Sequence, residues 1–115
     1  MTPKQVDTFC TKLPGVTRSV QWKGVVVFKL GGTMFAALAP DEKGRPDMLC
    51  FKAPPEHFDT LSHSDGFRPI RVHRKWVALE NPKVLTPAET KAYIRQAYAV
   101  IAAGLSKRKR AELLF

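Results

Sequence analysis

A chain of 115 residues, 44% apolar and 25% charged, suffices for one compact domain over residues 1–115 and leaves no material for a second core. Nineteen Lys and Arg against ten Asp and Glu give a formal charge of +9 on an ordinary hydrophobic content, which excludes a disordered chain and suggests an anionic partner. Two cysteines, Cys10 and Cys50, are too few for a disulfide framework or a zinc ribbon, and apolar runs such as Met34 to Ala39 are far short of the roughly 20 residues of a membrane span.

The chain opens with a helix start. Thr2 accepts from the Gln5 amide, Pro3 suits the first helical position, and Gln5 reaches back to close a capping box. Val6, Phe9, Cys10 and Leu13 then form one apolar stripe, which Leu13-Pro14-Gly15 ends. From Val16 to Ala39 the pattern turns to β-branched and aromatic residues broken by Gly24 and Gly31-Gly32, predicting strands near 17–23, 25–30 and 33–39 in a meander of two hairpins. Met48 to Lys52 reads as a fourth strand. Pro54-Pro55 opens a short helix carrying Phe58 and Leu61, closed by Ser64-Asp65-Gly66. Trp76 to Glu80 is a fifth strand, extended backward through Val72 and stopped by Asn81-Pro82. Thr86-Pro87-Ala88-Glu89 repeats the capping box before the longest helix, with Ile94, Ala97, Tyr98, Ile101 and Leu105 as its stripe. Gly104 weakens that helix, and Ser106 caps a last turn reaching Leu113. Helices at both ends of four or five antiparallel strands predict an α+β two-layer sandwich, with the helices packed on one face of the sheet.

Little in this pattern points to catalysis. Gly31-Gly32 lacks a following lysine and helix and reads as a hairpin turn; His57, His63 and His73 share no metal-ligand spacing. Cys10 and Cys50 read as small buried hydrophobes, with only Lys52 near Cys50 as a basic neighbour for a reactive thiol. The expectation is therefore a protein without catalytic residues, metal or cofactor. With no apolar leader at the N-terminus, its expected setting is soluble and cytoplasmic.

The charge is uneven along the chain. Residues 1–33, 67–83 and 84–115 each carry +4 and residues 34–66 carry −3, which predicts a polarised surface. Arg68, Arg71, Arg74 and Lys75 interleave with Ile70, Val72 and Trp76. Lys107, Arg108, Lys109 and Arg110 read as a solvated helix face or a binding tetrad. Hairpins ending at Gly24 and Gly31-Gly32, with Lys23 and Lys29 nearby, suit wings that follow a phosphate backbone, while Trp22 offers an aromatic face or packs on the first helix.

The order of these pieces resembles a known family. Leu13-Pro14-Gly15, Val16 to Trp22, Val27-Phe28-Lys29-Leu30-Gly31-Gly32 with Phe35, Trp76-Val77-Ala78-Leu79, the capped helix at Thr86, Gln96-Ala97-Tyr98 and Leu105 followed by basic residues look like the MmcQ/YjbR family over nearly the whole chain. These bacterial proteins are described as DNA-binding with a double-wing motif. The resemblance implies a frataxin-like (CyaY-like) fold; many relatives have Ser where this chain has Ala97, so any polar role of that serine is absent. The basic charge disfavours the iron handling of frataxin's acidic surface.

The expected function is non-enzymatic DNA binding, with Arg68, Arg71, Arg74 and Lys75 on phosphates and Lys23, Lys29, Lys107, Arg108, Lys109 and Arg110 in support, in a salt-dependent mode of little sequence preference. The alternative is a protein-interaction module whose basic field steers an acidic partner. A third reading is a small-molecule anion site near Arg68 to Lys75.

Overall fold

The computed structural model describes residues 1–21, 24–40, 46–70 and 73–113. Each long helix begins where its capping box lies. In α1 (Pro3–Thr11) the Thr2 side chain accepts from the Gln5 amide and the Gln5 side chain accepts from the Thr2 amide; in α3 (Pro87–Ala103) Thr86 and Glu89 do the same. Gly104 is the C-cap of α3, and Ser106 caps α4 (Lys107–Glu112).

Six strands form one antiparallel sheet, not four or five. They are β1 (Val16–Gln21), β2 (Val25–Leu30), β3 (Thr33–Pro40), β4 (Pro46–Lys52), β5 (Phe67–Ile70) and β6 (Trp76–Leu79), in the spatial order β1-β2-β3-β4-β6-β5. The strand that the sequence pattern passes over is β5, which contains Pro69. As the outermost strand it pairs on one side only, so a proline is tolerated there. A turn through His73, Arg74 and Lys75 precedes β6, which starts at Trp76 rather than continuing back; Val72 lies outside the described residues. Likewise α2 (Phe58–Ser62) starts after a turn in which the His57 amide donates to the Pro54 carbonyl, so Pro54-Pro55 precede the helix instead of opening it. The connection from β4 through α2 to β5 reaches past the place that β6 fills.

Register assigns every strand residue to a face. Val20, Val26, Leu38, Leu49, Leu79 and Phe67 form one cross-strand row, and Arg18, Phe28, Ala36, Phe51, Val77 and Pro69 the next. Most of these side chains meet Val6 and Cys10 of α1, Leu61 of α2, and Ile94 and Ala97 of α3 in the main core. The opposite face carries the row Ser19, Val27, Ala37, Cys50, Ala78 and Arg68. No helix residue joins its cluster of Ala37, Cys50, Trp76 and Ala78, edged by Val25, Met34, Ala39, Met48 and Ile70. The expected two-layer arrangement with helices on one face is what the chain adopts. Both cysteines are buried; loss of solvation pushes the Cys10 thiol up to about 12, helped by Asp7, and Cys50 up to about 11 against the opposing effect of Arg68.

Candidate functional site

Antiparallel strands alternate direction, so each hairpin tip is assigned to one of two ends of the sheet. The β1–β2 turn at Gly24 and the β2–β3 turn at Gly31-Gly32 are consecutive in the meander and therefore lie at opposite ends. The tips that share an end are β2–β3 and β5–β6, and the C-terminal end of β4 lies between them.

That end gathers basic side chains from four segments. Lys29 stands near the end of β2 on the open face, and Lys52 ends β4 on the same face, two strand spacings or roughly 10 Å away. The Lys52 ammonium donates to the Arg74 carbonyl at 2.8 Å, tying β4 to the β5–β6 turn. Burial lowers the Lys52 pKa, and the like charges of Arg74 and Lys75 lower it further. Lys75 holds a left-handed backbone, φ 62°, and its ammonium lies 4.9 Å from the centre of the Phe58 ring. Such a conformation costs a side-chain-bearing residue about 1–2 kcal/mol, so the surrounding turn imposes it. The fifth cation comes from α4, where Lys109 donates to the Gly31 carbonyl at 2.7 Å. Gly31 is required here: its φ is 59°, and a Cβ would stand 2.7 Å from Leu105, the residue that seats α4 against the turn. Among the described residues, none of Lys29, Lys52, Arg74, Lys75 and Lys109 forms an ion pair.

The other sequence candidates are placed differently. Arg68 lies at the margin of the open face, midway along edge strand β5, where it pairs with Glu80 from the opposite end of the sheet and approaches the Met48 sulfur. Within α4, Arg108 pairs with Glu112, while Lys107, Lys109 and Arg110 have no ion pair among the described residues; Lys109 and Arg110 donate to the Gly31 and Ala103 carbonyls. Lys23, Arg71 and Trp22 lie outside the described residues. Lys52 is the member of this basic cluster that the sequence pattern offered only as a neighbour of Cys50. Its only signal is its position as the last residue of an alternating strand, and its neighbours Arg74 and Lys75 arrive from 22 and more residues away.

Two acidic residues lie toward the other end. Asp65 precedes β5 and Glu80 follows β6, both at the end away from the cations. Among the described residues no three His, Cys, Asp or Glu side chains cluster so as to hold a metal ion. His57 and His63 are exposed, and His73 lies against Trp76 with ring centres 5.6 Å apart. No helix among the described residues is long and apolar enough to cross a membrane.

The family follows from comparison over most of the chain: residues 11–100 match YjbR. The chain belongs to the YjbR family. A protein of Pseudomonas syringae whose crystal structure is known is similar to it, at 21% identity and a TM-score of 0.68, over 87% of this chain and 98% of that one. At that identity the likeness concerns the fold. No curated protein matches this YjbR-family chain. Two residues of its resemblance have structural roles in this member. Tyr98 donates to the Pro14 carbonyl and meets Phe35 edge-on, joining α3 to the turn after α1, while Ala97 is wholly buried in the main core, where a serine would need a partner for its hydroxyl.

Proposed function

We propose that this YjbR-family chain is a non-enzymatic, cytoplasmic DNA-binding protein that holds the phosphate backbone at the basic end of its sheet. The observation that carries the reading is the convergence of Lys29, Lys52, Arg74, Lys75 and Lys109 at one end, between two hairpin tips, with no carboxylate among the described residues to neutralise them. Burial and, after it, the cations Arg74 and Lys75 disfavour the Lys52 charge, which an arriving anion stabilises. Contacts of this kind position a protein on a duplex without reading bases. Lys107 extends the basic surface, Arg68 joins it with its charge shared by Glu80, and Arg71 remains in the proposal by its place in the sequence between β5 and β6.

Titration of a labelled duplex at several salt concentrations tests it. Four or five phosphate contacts give a log–log salt slope of about −4. Arg74→Glu combined with Lys75→Glu is expected to weaken binding at least about tenfold and to flatten the slope by about 2. Absence of binding at low salt, or binding indifferent to the double reversal, overturns the reading.

A further inference from the structure

A second basic surface lies on the helix layer, away from the open face and unused by the proposal above. Between α1 and α3 runs an open groove of about 650 Å³, lined by Met1, Lys4, Phe9, Lys12, Pro87 and Lys91 together with Thr2, Gln5 and Thr8. Its lining contains no Asp or Glu. The one acidic residue of α1, Asp7, is held on another side by a two-pronged bond from Arg18 of β1.

The groove has a definite pattern of charge. Lys4 and Lys12 are eight residues apart on α1, spanning about 12 Å of helix. Lys91 and Arg95 are four apart on α3, and both lie over the same Phe9 ring, with Nζ at 5.7 Å and the guanidinium carbon at 5.1 Å from its centre. Like charges at that spacing repel on a helix. Among the described residues neither has a carboxylate partner. Two basic rows thus flank an apolar floor of Met1, Phe9 and Pro87.

We infer that this groove docks an acidic amphipathic segment of a protein partner. Such a segment places an apolar stripe on Phe9 and carboxylates between the two basic rows, the helix-in-groove mode of recognition. The charge complementarity and the apolar floor together select this occupant. A nucleic-acid backbone matches the cations but leaves the floor unused, since its outer surface is phosphate and sugar. The segment needs roughly eight residues of helix to span from Lys4 to Lys12.

The test uses the intact chain and three fluorescent probe peptides: a Glu/Leu amphipathic helix, its Glu→Gln counterpart and its Leu→Ser counterpart. Binding is read by anisotropy at low salt, beside binding of a labelled duplex. Two variants that remove equal charge are compared: Lys4→Glu with Lys91→Glu in the groove, and Lys29→Glu with Lys52→Glu at the sheet end. The first is expected to weaken the Glu/Leu peptide at least about tenfold and the duplex much less; the second is expected to do the reverse. Both altered peptides are expected to bind more weakly than the Glu/Leu peptide. Lys4→Gln with Lys91→Gln, checked by thermal melting, replaces the reversal if that fails to fold. Absence of Glu/Leu peptide binding, equal loss in both charge variants, undiminished binding of the Leu→Ser peptide, or a duplex defect in the groove variant as large as that at the sheet end each overturns the inference. Failure of duplex binding alone overturns the proposed function and leaves the groove standing.

Discussion

The two faces of the sheet solve burial in opposite ways. On the helix-covered face large side chains do the work: Phe28, Phe35, Phe51 and Leu30 are wholly buried because α1, α2 and α3 lie over them. On the open face the central residues are small, Ala37, Cys50 and Ala78, and they lose their exposure beneath taller neighbours such as Trp76, Met48 and Met34. The same strands serve both faces, since alternate residues point to opposite sides. The difference teaches a division of labour. On the face stabilised by large buried rings charges stay at the rim, as with Arg18 paired to Asp7, whereas the shallow face of small residues has room at its margins for Lys29, Lys52 and Arg68 with their heads in water.

The largest test of that contrast is Phe51→Ala. It empties the middle of the covered face and is expected to cost about 3–5 kcal/mol in a urea melt. A cost under about 1 kcal/mol would break the contrast at its strongest point. Alkaline pH comes next. The native state keeps both thiol protons well above the ordinary value of 9.0, with Cys10 at about 12 under the helices and Cys50 at about 11 on the open face. The unfolded chain releases those protons from about pH 9 upward. These groups therefore leave stability unchanged below pH 9 and reduce it as pH rises toward 11 and then 12, by up to about 1.4 kcal/mol per pH unit for each thiol. Cys10→Ala is expected to flatten the alkaline fall over a wider range than Cys50→Ala, and equal flattening would erase this difference between the faces.

Two smaller effects sharpen it. Tyr98→Phe removes the hydroxyl that donates to the Pro14 carbonyl, with an expected loss of about 1 kcal/mol and no change in duplex binding. Lys75→Gly relieves a left-handed backbone costing about 1–2 kcal/mol and loses a ring contact of about 0.5–1 kcal/mol, so stability is expected to hold or rise slightly. Duplex affinity falls in the same variant. A Lys75→Gly chain that is markedly less stable would show that the turn serves the fold rather than the surface.

Local features were legible from residue order. Thr2 with Gln5 and Thr86 with Glu89 announce helix starts because every atom of a capping box lies within four residues. The strands of the β1–β3 meander were legible from their β-branched runs and the glycines between them. Strand β5 was not, because Arg68 and Pro69 interrupt the alternation that marks a strand; its existence rests on the neighbouring β6. The candidate site was legible as a set of basic residues, and its arrangement was not. Lys52 escaped because its neighbours come from a distant turn, and the placing of the Gly24 and Gly31-Gly32 turns at opposite ends follows from strand directions that only the sheet shows.

From residue order alone come the α+β class, the starts of α1 and α3, the antiparallel meander and the excess of positive charge, since each depends on contacts a few residues apart or on composition. Only the tertiary structure decided that β6 enters between β4 and β5, that the cations meet at one end of the sheet, and that α1 and α3 enclose a second basic groove. Those outcomes depend on pairings between segments far apart in the chain, whose register and direction no local pattern encodes.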